Sequence, residues 1–208
     1  MCNAYGLRAP VHRVAETFSD LRIPLRFEQG AAPNLPERDP IRPTEPAPVV
    51  RGDGAGGALL SELRWGFAPP RPRAGPVINF RSEGRRFAAA SRVLVLASWF
   101  YEFTGERSPK TRWRFTKTGA GGAPEGEDPF AIAGVARGAG GLDAKGQPWP
   151  ASFSLLTVEP GPDIAPIHPR QVVVLDRSDW LAWLEGSEEE AARLLRPSPA
   201  GALAVARA

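Results

Sequence analysis

Arg92-Val-Leu-Val-Leu-Ala-Ser-Trp-Phe-Tyr-Glu-Phe103 is the stretch on which the fold turns. From Val93 to Ala97 every residue is apolar, and the run continues through Trp99, Phe100 and Tyr101. Such a run, rich in β-branched and aromatic side chains, reads as a strand buried on both faces and so central to a sheet. Working outward, further strands are expected over 59–67, 111–116, 130–136, 152–158 and 171–175. Val11, Ala15, Phe18 and Leu21 fall near helical spacing, and Pro24 stops that segment before Leu25. A short helix is expected over Arg81–Ser91 and another from Ser178 through Leu184. Ser187-Glu-Glu-Glu190 has the spacing of a capping box for a helix through Leu195. Residues 30–58 are rich in Pro and Gly and read as loop, with short extended pieces around Val49 and Val50. Residues 119–128 read as a hairpin tip or surface loop, 138–150 as a second loop, and the tail after Pro197 as frayed. The sum is an α+β chain: a curled, mostly antiparallel sheet with a few peripheral helices, in one domain over 1–208. Its core is expected over about 2–184, with a C-terminal helix and tail over 187–208.

The chain has 208 residues, 42% of them hydrophobic, enough for one packed core. No apolar run approaches the roughly 18 residues of a membrane span. The start lacks a basic segment followed by an apolar one, so no secretory signal and a cytoplasmic location are expected. The single cysteine cannot close an internal disulfide. Net charge is only +3, but residues 60–118 hold 12 Lys/Arg against 4 Glu, or +8. The remainder, with 14 basic and 19 acidic residues, is −5. A basic middle on an acidic body suits a polyanion-binding face, and equally an ordinary solvated surface. Of the 26 basic residues 23 are arginine, the side chain that pairs bidentately with phosphate.

Cys2 follows the initiator methionine directly. Removal of Met1 would leave an α-amine, with a reference pKa of about 7.7–8.0, beside a thiol near 8.5. An aldehyde condenses with the amine to an imine, and the thiol closes on the imine carbon to a five-membered thiazolidine, favoured because closure is intramolecular. Two other readings stand beside this: a small apolar filler on the first strand, and the nucleophile of an N-terminal amide hydrolase.

Five segments then occur in order: Met1-Cys-Asn-Ala-Tyr5, Trp65-Gly-Phe67, Asn79-Phe-Arg-Ser-Glu83, Trp99-Phe-Tyr-Glu-Phe103 and Ile167-His-Pro-Arg170. In order and rough spacing they resemble the SRAP family, the SOS-response-associated peptidases understood as abasic-site processing proteins. The resemblance runs from Cys2 to about Leu184. It implies a barrel-like curled sheet with a basic groove for single-stranded DNA and a thiazolidine crosslink between Cys2 and an abasic site. It also implies roles for Asn79, Glu102 and His168 around the bound sugar, with lyase activity at abasic sites and self-removal of the leading segment as associated activities. A monomer acting in the bacterial cytoplasm during repair is expected.

The residue chemistry fits each role and leaves each open. A carboxylic acid among aromatics, as Glu102 would be, can hand a proton to a departing hydroxyl; strand alternation equally allows it to face outward. His168 could shuttle a proton or be a plain loop residue. Asn79 could bond the sugar hydroxyls or serve a turn. Arg81 and Arg170 are expected phosphate contacts, with Arg92 a weaker one, against the alternative of surface charge. Trp65 and Phe67 could stack on a base or fill the core, and Gly66 between them would let a ligand approach the backbone. No metal or other cofactor is expected, since one Cys and two His form no convincing ligand set.

The chain departs from the family pattern in places. Cys2-Asn3-Ala4 stands where Cys-Gly-Arg is frequent, Asp39-Pro-Ile-Arg-Pro43 lacks the usual asparagine, Phe103 replaces a common tryptophan, and Ser98 a frequent glycine. Arg42 is a candidate to compensate. The rivals to a DNA crosslinker are a non-covalent single-strand-binding module and the amide hydrolase.

Overall fold

The computed structural model describes residues 2–71, 73–119, 128–143 and 146–208. Fourteen strands and three helices lie among them. In chain order these begin with β1 (Tyr5–Leu7), α1 (Val11–Asp20), β2 (Leu25–Phe27), β3 (Arg38–Ile41), β4 (Pro46–Gly52), β5 (Ala58–Trp65) and β6 (Asn79–Arg81). Then come β7 (Arg92–Ala97), β8 (Trp99–Thr104), β9 (Thr111–Lys117), β10 (Phe130–Arg137), β11 (Ser152–Val158), β12 (Gln171–Val172) and β13 (Val174–Leu175). The chain closes with α2 (Trp180–Glu185), α3 (Glu188–Arg193) and β14 (Leu203–Arg207). The α+β expectation holds: two mostly antiparallel sheets carry the structure and the helices are peripheral.

The opening stretch forms two strands rather than one. β7 lies between β10 and β4 in the larger sheet, every residue buried, as its unbroken apolar run requires. β8 belongs to the smaller sheet, ordered β14-β9-β8-β1-β3. Ser98 is the corner between them. Its N–H donates to Gly6 O (2.8 Å) and its hydroxyl accepts from Arg8 N (2.9 Å), so the turn's polar groups stay paired. The larger sheet is ring-like, because β11 pairs antiparallel with β10 and parallel with β5. One buried cluster fills its interior, from Cys2 and Tyr5 through β7, β10 and β11 to Trp180 and Trp183.

Several boundaries differ from the sequence reading. The loop expected over 30–58 contains β3 and the seven-residue β4, because β5 offers β4 a full antiparallel partner that overrides its prolines. The helix expected over Arg81–Ser91 is absent. Asn79–Arg81 pairs parallel with β11, and only a single 3-10 turn, Ala89–Ser91, precedes β7. α1 ends at Asp20, and α3 at Arg193 with both halves of its capping box formed. Trp180, not Ser178, begins α2, after a 3-10 turn and without a side-chain cap. The tail is ordered: the whole of β14 pairs with β9, from Leu203↔Lys117 to Arg207↔Trp113, covering what would be an open edge. Of the hairpin tip expected over 119–128, residues 120–127 lie outside the described residues. No helix is long and apolar enough to cross a membrane among the described residues.

Candidate active site at the amino terminus

β8 sorts its side chains by strand alternation. Trp99, Tyr101 and Phe103 join Ala4 in a small cluster on one face, while Phe100 belongs to the main core on the other. Glu102 follows Phe100 inward and is 1% exposed, which settles the choice between inward and outward left open by the sequence. The amino-terminal segment runs antiparallel beside β8, with Tyr5 opposite Phe100 and Tyr101 N–H donating to Ala4 O (3.0 Å). This pairing carries Cys2 to Glu102. Burial pushes the Glu102 carboxyl up to about 7, while the Cys2 backbone N–H pulls it the other way.

Cys2 is fully buried, and its thiol donates weakly to Ala4 O (3.3 Å). Burial pushes the thiol up, reinforced by the nearby charge of Glu102. Asn79, first in β6, comes from the opposite side and donates Nδ2–H to Cys2 O at 2.7 Å. The other end of that amide, Oδ1, is buried without a hydrogen-bond partner among the described residues, and so is an acceptor ready for an incoming donor. His168 reaches the site from the turn before β12, with Nε2 4.0 Å from Glu102 Oε2. Its Nδ1 lies 2.9 Å from Arg170 O and 3.1 Å from Arg170 N, so backbone on one side fixes the ring. Burial lowers the His168 pKa, favouring neutral imidazole. Cys2, Asn79, Glu102 and His168, from four distant segments, thus share one site. A nucleophile, a carboxylic acid titrating near neutrality, a neutral imidazole and an open acceptor can together carry proton-coupled addition to a carbonyl.

The expected nucleic-acid contacts divide. Arg81 is exposed and forms no ion pair among the described residues, so its guanidinium is available beside Asn79. Arg170 is committed: both terminal nitrogens meet the Glu83 carboxylate, and Nη2 also donates to Thr157 O (2.8 Å) and Oγ1 (3.1 Å). That pairing holds the Glu83 carboxyl below its ordinary range. Arg170 here braces the backbone that fixes His168 and is not an open phosphate contact. Arg92 is corrected outright. It is 1% exposed, lies over the Trp183 ring (5.7 Å), and donates to Gly186 O and Ser187 O at the end of α2. It satisfies helix carbonyls and cannot reach a ligand. Trp65 is a core residue: fully buried, edge-on to Tyr5 (5.1 Å), its indole N–H donating to Ile78 O (3.0 Å). Phe67 is 3% exposed beneath the guanidinium of Arg137, so base stacking is closed to both rings. Gly66 has φ +112°, and a Cβ there would meet Pro76; its freedom serves chain packing rather than a ligand. Arg42, the candidate to compensate for the missing asparagine, is exposed.

Glu83 and Thr157 went unassigned in the sequence. Glu83 stands within the quoted Asn79–Glu83 segment, but no spacing rule shows which cation it pairs with. Thr157 offers no signal, being one residue of a uniformly buried strand. Among the described residues, no three His, Cys, Asp or Glu side chains are grouped to hold a metal ion.

The SOS response associated peptidase (SRAP) family model matches residues 1–208. Among solved structures, a Bordetella bronchiseptica protein superimposes with a TM-score of 0.73 at 21% identity, covering 100% of this chain and 99% of that one. A Bacteroides thetaiotaomicron protein gives 0.72 at 17% identity, covering 99% and 91%. A phage-related protein of B. bronchiseptica gives 0.69 at 18%, covering 100% and 94%. At these identities the likeness is one of fold. No curated protein matches the sequence. The family model spans the whole chain, the fold is that of the solved neighbours, and four of the five quoted segments meet at one site: the chain belongs to the SRAP family.

Proposed function

We propose that this protein binds single-stranded DNA at an abasic site and bonds to it covalently through Cys2 once Met1 has been removed. The observation that carries the reading is the meeting of Cys2, Asn79, Glu102 and His168 in one buried site. With Met1 gone, the Cys2 nitrogen, already directed at the Glu102 carboxyl, becomes a primary α-amine. The amine attacks the open-chain aldehyde carbon to give a carbinolamine. Glu102 in its acid form gives a proton to the hydroxyl, which departs as water and leaves the imine. The Cys2 sulfur adds to the imine carbon while its proton passes to the ring nitrogen, closing the thiazolidine. His168 serves as relay between Glu102 and the sugar oxygens. Asn79 fixes the Cys2 carbonyl through Nδ2 and offers Oδ1 to a sugar hydroxyl or the ring N–H. Arg81, open beside the site, supplies a phosphate contact. An imine that fails to close would pass to β-elimination, which is the lyase outcome, and self-removal of the leading residue would expose the amine.

The test is denaturing electrophoresis with intact mass. Protein shown to begin at Cys2 is incubated with an oligonucleotide bearing one abasic site, beside Cys2→Ala and an undamaged strand. A heat-stable adduct on the damaged strand alone, of the mass expected for one dehydration, is the predicted result. No adduct from correctly processed protein, or one that survives Cys2→Ala, refutes the reading.

A further inference from the structure

β6 has two faces. Asn79 and Arg81 lie on the side of the amino-terminal site; Phe80, between them, points to the other. There Phe80 packs edge-on between Phe67 (6.5 Å) and Phe87 (6.3 Å). The three rings, with Val135 and Ala136 of β10, wall a half-open cleft of about 360 Å³. Among the described residues no acidic side chain lines it. Two exposed arginines form its rim: Arg85 lies over the Phe80 ring at 4.7 Å and Arg137 over the Phe67 ring at 4.3 Å. Neither pairs with a carboxylate among the described residues, whereas the adjacent Arg86 is bound to Glu189.

A guanidinium stacked on a ring is held flat with its N–H fork directed outward, pre-organised for a carboxylate. Two such forks above a carbon-lined cleft match an apolar side chain flanked by carboxylates. A nucleobase fits less well. The faces of Phe67 and Phe80 are already covered, and the rim supplies donors only, so the base's own N–H groups would find no acceptor. The Ser91 hydroxyl, at the edge, already donates to Ala88 O (2.8 Å).

We propose that the Phe67–Phe80–Phe87 cleft, rimmed by Arg85 and Arg137, binds an acidic peptide segment of a partner protein by seating one of its apolar side chains. This docking surface lies on the reverse of β6 from the crosslinking chemistry and does not depend on it.

The test is fluorescence anisotropy on the full chain with a short labelled peptide of alternating Asp and Phe. Its comparisons are Lys-Phe and Asp-Ser versions and a labelled oligothymidylate. Micromolar, salt-sensitive binding of the Asp-Phe peptide is expected, at least about fivefold weaker for Asp-Ser and absent for Lys-Phe. The double variant Arg85→Gln/Arg137→Gln is expected to weaken it about tenfold or more while keeping the wild-type melting temperature. Arg81→Gln, on the other face, and Cys2→Ala are expected to leave it unchanged, which separates this surface from the proposed DNA chemistry. No binding by the wild-type protein overturns the proposal. So does equal binding of the Asp-Ser or Lys-Phe peptide, or an unchanged affinity in the double variant. Loss of oligothymidylate rather than peptide from the double variant overturns it in favour of a nucleic-acid path.

Discussion

Replacing Glu102 with Gln removes a buried acid and should flatten the protein's response to pH. In the unfolded chain the carboxyl ionises at its ordinary value of 4.5; in the fold, burial holds its proton until about 7. Between those limits the folded state binds more protons than the unfolded state, so stability falls as pH rises across the window and is level on either side. At about 1.4 kcal/mol per pH unit, the full window corresponds to about 3 kcal/mol. Glu102 is 1% exposed, so solvent screening scarcely reduces this. Glu102→Gln cannot ionise. Relative to wild type it should gain up to about 3 kcal/mol between pH 4.5 and 7, or on the order of 5–10 °C in melting temperature for a chain of this size. Urea unfolding of both proteins across that range, with the same amino terminus verified by mass, reads the difference directly. Titrating groups remote from Glu102 are common to both and cancel. Parallel stability curves would refute the reasoning, because Glu102 would then ionise in the fold as it does in water. The same substitution should slow crosslinking while leaving retention on undamaged single strands nearly unchanged, so the acid that reacts is also one that destabilises the fold above neutrality.

The crosslinking rate should trace a bell in pH: the α-amine must lose its proton, with a reference value of about 7.7–8.0, while Glu102 must keep its own, which it does up to about 7. Initial rates against pH check this, and an alkaline limb that persists in Glu102→Gln would assign it to another group. Arg92→Ala should cost about 3 kcal/mol by stranding the Gly186 carbonyl and uncovering Trp183. Single-strand retention per folded molecule should not change; a selective loss of retention would return Arg92 to the interface. Ser187→Ala removes the capping box of α3 and should lower stability by about 1 kcal/mol in urea titrations. Arg81→Gln should reduce the salt slope of single-strand binding by about one, with no drop in melting temperature.

Much of the architecture was legible locally. Val93–Ala97 read as a buried strand, because five successive apolar side chains leave no polar face for water and the run is short for a buried helix. Ser187-Glu-Glu-Glu190 specified its own helix start, since both bonds of a capping box form within one turn. The short partners were not legible. β2 and β3 are three and four residues long, and β14 reads as a frayed tail, because a strand's hydrogen bonds lie with another segment. Residues 81–91 illustrate the reverse: helical propensity near Ala88–Ala90 gives way once β11 holds Asn79–Arg81 extended. At the site, the residue types and their order announced a nucleophile, an acid, an imidazole and an amide. The arginines and aromatics were ambiguous for a physical reason. A guanidinium bonds equally well to phosphate, to the Glu83 carboxylate as in Arg170, or to helix carbonyls as in Arg92, and Trp65 fits a core as readily as a base.

The sequence by itself determined the strand-rich class, the aminothiol latent at Cys2 and the set of groups able to act on it, because these depend on covalent structure and local periodicity. Tertiary structure alone decided that Glu102 faces inward, that Asn79 grips Cys2 O, and that Arg81 stays open while Arg170 and Arg92 do not. Those outcomes depend on which distant segment each side chain meets, and on how much water remains around it when they meet.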